Sequence, residues 1–256
     1  MSVLDSFRLD GRVALVTGAS RGLGRGIAVG LAEAGADVAV LDRLECGETA
    51  REISALGRRV RELRYDLLGA KSKMAEEIVG KCVAELGRLD ILVNNAGIIR
   101  RSGAMEFTEE DWEDVVNVNL GSVFYLSQAA ARHFVREGKG GKIINLASVL
   151  SYQGGILVPS YSATKGGVAN LTRALANEWA ERGINVNAIA PSYFTTELTA
   201  NIREDTSRSD ALLSRIPAGR WGEPEDLKGA AVFLASEAAG YVHGAVVSVD
   251  GGWLAR

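Results

Sequence analysis

The chain has 256 residues, 47% of them hydrophobic and 24% charged, with a formal net charge of −3. That is the composition of an ordinary soluble globular protein, and the lack of a basic excess counts against a nucleic-acid surface. No apolar run approaches the roughly 20 residues that span a bilayer, and the opening MSVLDSFRLDGR carries acids where a signal peptide has an apolar core, so a cytoplasmic location is expected.

Short apolar runs alternate with helical stretches from end to end. Val13–Thr17 reads as the first strand, followed by a glycine-rich turn and a helix over Gly24–Ala34 that Gly35 stops. Val38–Asp42 and Val60–Tyr65 are the next strand-like runs. Arg58, Arg59, Arg61 and Arg64 alternate with apolar residues there and read as the solvated side of a helix-to-strand connection. A helix over Lys71–Leu86, a strand at Ile91–Asn94 and one long helix over Glu109–Phe134 come next. Thr108 caps that last helix, and Glu109, Glu110 and Asp111 face its dipole. The remaining elements are strands at Ile143–Leu146, Val186–Ile189 and Ala245–Val249, with helices over Tyr161–Glu181 and Glu225–Ala235.

Several strand runs are continuously apolar, as strands covered by helices on both faces must be. Alternating β and α elements imply right-handed crossovers and a parallel sheet. The expectation is an α/β, Rossmann-type doubly wound seven-stranded parallel sheet, a single dinucleotide-binding and catalytic domain over 1–256. One polar, helix-leaning stretch at about 193–216 interrupts the rhythm, and is expected to cover a substrate cleft at the carboxyl ends of the strands. Cys46 and Cys82 lack partner spacing, and His133 and His243 stand alone, so neither a disulfide framework nor a metal site is expected.

The first chemical signal is Thr17-Gly18-Ala19-Ser20-Arg21-Gly22-Leu23-Gly24, directly after the first strand. Glycines between a strand and a helix allow a tight turn and close backbone approach to a pyrophosphate, with helix N–H groups and dipole behind it. The spacing is G-x-x-x-G-x-G, not the commoner G-x-G-x-x-G, and a purely structural turn could use the same glycines. Asp42 ends the second strand about twenty residues on, where a carboxylate accepts from the adenosine ribose hydroxyls and repels a 2′-phosphate. Arg21 and Arg43 pull the other way, since either could meet a 2′-phosphate. NAD is therefore the expected cofactor, with NADP as the alternative. A helix-start cap is the structural alternative for Asp42.

The second signal is Tyr161 and Lys165, four residues apart and so on one helix face. A Tyr-x-x-x-Lys arises readily by chance, and its company decides. TGASRGLG at 17–24, Asp66 after the third strand, NNAG at 94–97, Asn119 in NVNL, Ser148 in LASVLS and YSATK at 161–165 follow in order. With these the chain resembles the short-chain dehydrogenase/reductase family along its whole length.

The resemblance implies a catalytic set of Asn119, Ser148, Tyr161 and Lys165. A free phenol, with pKa near 10, is a poor base at neutral pH. Lys165 on the same face, with a cationic nicotinamide ring nearby, is expected to lower it. Ser148 would hold the substrate oxygen, and Asn119 would fix a helix kink and a water that relays protons to Lys165.

The resemblance also implies cofactor contacts from Gly18, Ser20, Arg21, Gly22, Leu23, Gly24, Asp42, Asp66, Leu67, Asn95, Gly97, Tyr161, Lys165, Pro191, Phe194 and Thr196. Asp66 would face the adenine and the NNAG segment would lie under the ribose; NNAG could also be a plain post-strand turn. One departure is visible. The family usually carries Pro-Gly after the sixth strand, and this chain has Pro191-Ser192. If that position needed a positive φ, Ser192 would be strained, which weakens the carboxamide contacts expected from the Phe194 backbone and from Thr196.

AGIIRRSGAMEF, SYQGGILVPSY, IPAGRWGEPEDL and VDGGWLAR are similar to the sugar-acid branch of the family. That similarity implies NAD-linked interconversion of 2-keto-3-deoxygluconate and 2,5-diketo-3-deoxygluconate. Such a substrate needs a cation for its carboxylate and polar groups for its hydroxyls. Arg101 and Gln153 are candidates beside Ser148 and Tyr161, with Tyr193, Trp253 and Arg256 weaker; Arg100 and Arg101 could instead be solvated loop residues. Alternatives are a 3-ketoacyl carrier-protein reductase, another polyol or gluconate dehydrogenase, or a cofactor-sensing module without turnover. The resemblance further implies a homotetramer, paired through the helices over Glu109–Phe134 and Tyr161–Glu181 and through the last strand.

Overall fold

The computed structural model describes residues 2–256, the side chain of residue 198 excepted. Seven strands form one parallel sheet: β1 (Val13–Thr17), β2 (Asp37–Asp42), β3 (Val60–Arg64), β4 (Ile91–Asn94), β5 (Gly141–Leu146), β6 (Ile184–Pro191) and β7 (Val246–Val249). Their order across the sheet is β3-β2-β1-β4-β5-β6-β7, so the chain reverses direction between β1 and β4. The helices are α1 (Gly22–Glu33), α2 (Gly47–Ala55), α3 (Ser72–Leu86), α4 (Glu109–Val116), α5 (Ser122–Glu137), α6 (Pro159–Trp179), α7 (Ala200–Glu204), α8 (Thr206–Leu213) and α9 (Lys228–Ala235).

The period-2 alternation of the strands explains why their apolar runs are unbroken. Ala14, Val16, Val38, Val40, Ile91 and Val93 point into one core layer, against Ile27 and Leu31 of α1 and Leu234 of α9. Val13, Leu15, Ala39, Leu41 and Leu92 point into the other, against Ile78 of α3, Leu126 and Phe134 of α5 and Leu175 of α6. Every residue between Ile184 and Pro191 is buried, whereas the edge strand β3 is open on one face. Arg59, Arg61 and Arg64 lie beside or on that edge and pair with Asp37, Glu85 and Glu45, a solvated run as the sequence suggests. None of the described helices is long and apolar enough to cross a membrane.

Several element boundaries differ from the sequence reading by a residue or two, and four differences concern the helices that frame the site. The expected helix over Glu109–Phe134 is interrupted by a π-turn at Asn117–Gly121, which separates α4 from α5. A π-turn is a single turn inside an otherwise helical run, too short to stand out in a pattern read over about eleven or more residues. The expected helix over Glu225–Ala235 opens as a 3₁₀ turn at Pro224–Leu227 before α9. Helix α6 starts two residues early, with Pro159 in its first turn, where its missing N–H costs nothing. Helix α2, polar on its outer face and buried only through Thr49 and Ile53, gave too weak a pattern to be read.

The irregular stretch at 193–216 contains a 3₁₀ turn, α7 and α8, and the C-terminal turn braces it at both ends. Ser192 Oγ donates to Asp250 O at 3.0 Å, Ala218 N to Gly251 O at 2.9 Å, and Arg256 Nη2 to Ser214 O at 2.8 Å. Trp253, 4% exposed, is the anchor. The Arg215 guanidinium lies 4.1 Å from its ring centroid and the Tyr193 ring 4.8 Å away.

Replacing Trp253 with alanine removes a buried aromatic, and is expected to cost about 3–5 kcal/mol in chemical denaturation. It should also open 200–213 to limited proteolysis. Arg256→Ala, which loses one exposed hydrogen bond, should cost no more than about 1 kcal/mol. Equal costs for the two would mean that the aromatic cluster is not the anchor.

Candidate active site

Where β1 and β4 part, their carboxyl ends open onto a cavity of about 420 Å³. The glycine-rich turn forms its floor. Gly18 and Gly22 have φ of +65° and +56°, and a Cβ on Gly24 would sit 2.0 Å from the Gly18 carbonyl oxygen. Only glycine lets α1 start that close to the strand it leaves. Asn95 sews the two strand ends together: its Nδ2 donates to Thr17 O at 2.8 Å and Gly18 O at 3.0 Å. Thr17 Oγ1 in turn accepts from the Asn95 and Ala96 amides, each at 3.0 Å.

Asp42 stands on the next wall with its carboxylate already oriented. Its Oδ2 accepts from Ser20 N at 3.2 Å and Ser20 Oγ at 2.8 Å, and its Oδ1 from Leu44 N at 3.1 Å. It is not the cap of α2, which begins after Cys46. Asp66 likewise has Oδ1 held by Leu68 N at 3.0 Å, which turns the chain so that Leu67 is buried beside the cavity.

The other end of the cavity is built by β5, α6 and the π-turn. Asn119 is fully buried, its Oδ1 accepting from Ile98 N at 2.8 Å and its Nδ2 donating to Ile98 O at 2.9 Å. The π-turn thus ties α4 and α5 to the loop after NNAG, which is the kink that the resemblance implies. Ser148 follows β5, and its Oγ accepts from Leu150 N at 3.1 Å, leaving its proton to be donated outwards. Tyr161 and Lys165 lie one turn apart on α6, with Lys165 Nζ 5.5 Å from the Tyr161 ring centroid. Lys165 is 5% exposed and donates to Leu146 O at 2.5 Å.

Burial governs both titrations. The Tyr161 phenol is pushed up to about 12 by burial, only partly offset by hydrogen bonding with Ser148 and by the positive charge of Arg101. Burial also brings Lys165 down to about 8. In the protein alone desolvation sets the direction for both groups, whereas the expected lowering of the phenol includes the charge of a bound nicotinamide.

Fifteen of the sixteen residues expected to touch cofactor line this cavity: Gly18, Ser20, Arg21, Gly22, Leu23, Gly24, Asp42, Asp66, Leu67, Asn95, Gly97, Tyr161, Lys165, Pro191 and Thr196. Phe194 does not. Its ring is buried against Gly222, and its carbonyl accepts from Thr196 N at 2.9 Å and Thr199 Oγ1 at 2.6 Å. The expected strain at Ser192 is also absent, since Leu157 is the one non-glycine residue with positive φ among those described. Glu197, which also lines the cavity, carried no motif by which sequence could find it.

Of the substrate candidates, Arg100 is an ion-pair partner of Asp111 and Asp114 at 2.9 and 3.2 Å. Arg101 is near enough to Tyr161 and Arg208 for their charges to act on it, while burial lowers its own pKa. The Leu157 carbonyl accepts from Ser102 N at 3.1 Å, which draws the Arg101 loop against the segment leading into α6. Gln153 is half-buried in that same segment. Tyr193 is turned into the aromatic cluster with Trp221 and Trp253. No group of acids, cysteines and histidines suited to a metal occurs among the described residues.

Doubly wound sheets bind dinucleotides at such a switch point, and the glycine cradle and ribose-facing carboxylate fit one here. The class so defined is a nicotinamide-dependent oxidoreductase. Residues 18–254 match a family model described as "Enoyl-(Acyl carrier protein) reductase". The chain is 56% identical over 254 residues to the 2-dehydro-3-deoxy-D-gluconate 5-dehydrogenase of Dickeya dadantii, covering 99% of this chain and 100% of that one. The enzyme of the same name from Escherichia coli gives the same figures. A crystal structure of a gluconate 5-dehydrogenase from Burkholderia cenocepacia, in complex with NADP and tartrate, superposes with a TM-score of 0.94 at 43% identity over the whole of both chains. The chain belongs to the short-chain dehydrogenase/reductase family, and is an NAD(P)-dependent oxidoreductase acting on CH–OH groups.

The buried Lys165 makes stability depend on pH in a definite direction. Between pH 8 and 10 the unfolded lysine (about 10.5) still holds the proton that the folded one (about 8) releases, so stability rises with pH. Measured against Lys165→Met by denaturant titration, the wild-type chain should gain over that window. A constant difference would show that Lys165 is not desolvated.

Proposed function

We propose that the protein interconverts a hydroxyl and a ketone on a sugar acid with NAD, taking 2-keto-3-deoxy-D-gluconate to 2,5-diketo-3-deoxygluconate. The observation that carries this is the meeting of Tyr161 and Lys165 in the lining of the cavity, with Ser148 hydrogen-bonded to the tyrosine and Arg101 close to it. Tyr161 takes the proton of the substrate hydroxyl on oxidation and returns it on reduction. Ser148, with Oγ fixed by Leu150 N, donates to the substrate oxygen and aligns it with the phenol. Lys165 stabilises the phenolate electrostatically, and Asn119 keeps the π-turn and the Ile98 loop in place. Nicotinamide, when bound, accepts the hydride and adds a positive charge that favours the phenolate.

The substrate class is supported by the names of the relatives and by Arg101, a cation near the reacting end that suits a carboxylate. The relative that holds tartrate, a hydroxy acid, supports the same class. Gluconate is the second reading, favoured by that relative's own name. NAD over NADP is supported by Asp42, whose oriented carboxylate would repel a 2′-phosphate. Cytoplasmic location and a homotetramer are proposed with it from the family resemblance.

Nicotinamide absorbance on mixing the protein with 2-keto-3-deoxygluconate or gluconate and NAD⁺ or NADP⁺ tests the reading. Reduction of NAD⁺ by 2-keto-3-deoxygluconate should be fastest by at least tenfold; a preference for gluconate or for NADP⁺ would displace the corresponding half of the proposal. Tyr161→Phe should lower turnover by more than a thousandfold while NADH still binds, and near-normal turnover would sink the mechanism. Light scattering on a sizing column should give four times the chain mass, and elution as a monomer would refute the assembly.

A further inference from the structure

Arg21 is the one cation within the phosphate-binding turn. It caps α1 with an extended backbone, φ −160° and ψ 177°, and its guanidinium is ion-paired with Glu197. Glu197 opens the 3₁₀ turn at Glu197–Thr199 within the stretch at 193–216, and lines the same cavity as Asp42. Of the other cations beside this pair, Arg25 pairs with Glu48 and Glu52, Lys228 with Glu33, and Arg203 donates to the Thr196 carbonyl at 3.3 Å. Among the described residues Glu197 is thus the only carboxylate paired with Arg21, and Arg21 the only cation paired with Glu197. Asp42, held by Ser20 and Leu44, does not restrain it.

We propose that Glu197 is a determinant of coenzyme choice, holding the Arg21 guanidinium against the covering segment and so withholding it from a 2′-phosphate. The inference builds on the NAD reading above but adds a second, separate device to it. Guanidinium binds carboxylate and phosphate with the same forked donors, so the two compete for Arg21 directly. Asp42 discriminates by repelling the extra phosphate, Glu197 by occupying its natural partner. Both members of the pair are more than half exposed, 52% and 65% of their side-chain surface, so its strength is that of a surface pair. Releasing Arg21 should then change affinity about two- to fivefold, and no more.

The test is equilibrium binding of NADH and NADPH to the substrate-free protein, followed by coenzyme fluorescence. In Glu197→Gln the Kd for NADPH should fall about two- to fivefold while that for NADH stays constant. In an Arg21→Ala background the same substitution should change neither. An unchanged NADPH/NADH ratio in Glu197→Gln would overturn the proposal. So would a shift that survives in the Arg21→Ala background, or one that is abolished by Arg43→Ala and not by Arg21→Ala. Tighter binding of NADPH by the wild-type chain would instead refute the Asp42 argument, and the Glu197 effect would still be read as a change in the ratio.

Discussion

The structure hangs on how closely the backbone packs where β1 and β4 diverge. Gly24 lies so near the Gly18 carbonyl that no Cβ fits between them, and Asn95 binds the two strand ends through the Thr17 and Gly18 carbonyls. Because α1 starts against the end of β1, its N-terminal N–H groups face the crevice rather than the core. Because Asn95 is spent on backbone carbonyls, the NNAG turn is rigid and the loop carrying Ile98 leaves at a defined angle. The cleft, its anion-binding end and the wall that carries Asp42 all follow from that contact.

The reacting end depends on a second constraint, the satisfaction of buried polar groups. Ile98 lies between secondary elements, and its amide and carbonyl find partners only in the Asn119 side chain. Asn119 can reach them because the helix opens into a π-turn there. The same low-dielectric surroundings act on the titrating pair. Burial moves Tyr161 up and Lys165 down, so the protein alone holds both towards their neutral forms.

Much of this was legible in the chain itself. All seven strands were found within a few residues of their ends, since strands buried on both faces announce themselves as unbroken apolar runs. Fifteen of the sixteen expected cofactor residues line one cavity, because the glycine turn, Asp42 and NNAG sit at strand ends, where the fold rule places the ligand. Phe194, of which a backbone contact was expected, lies outside the cavity lining with its ring packed on Gly222. Ser192 would have been strained had its position needed a positive φ, but its φ is not positive and its hydroxyl binds the C-terminal turn. Arg21 and Glu197 are separated by 175 intervening residues, and no local pattern links them.

The sequence by itself determined the seven strands, the parallel sheet they form and the residue types that meet around Tyr161, whereas their order across the sheet came from the structure. Strand period, helix period and the spacing of Tyr161 from Lys165 are local properties that survive in one dimension. The tertiary structure decided the π-turn, the direction in which Tyr161 and Lys165 titrate, and the commitment of Arg21 to Glu197. Each of these depends on which distant groups share a dry or crowded space, and burial and electrostatic partnership exist only once the chain has closed on itself.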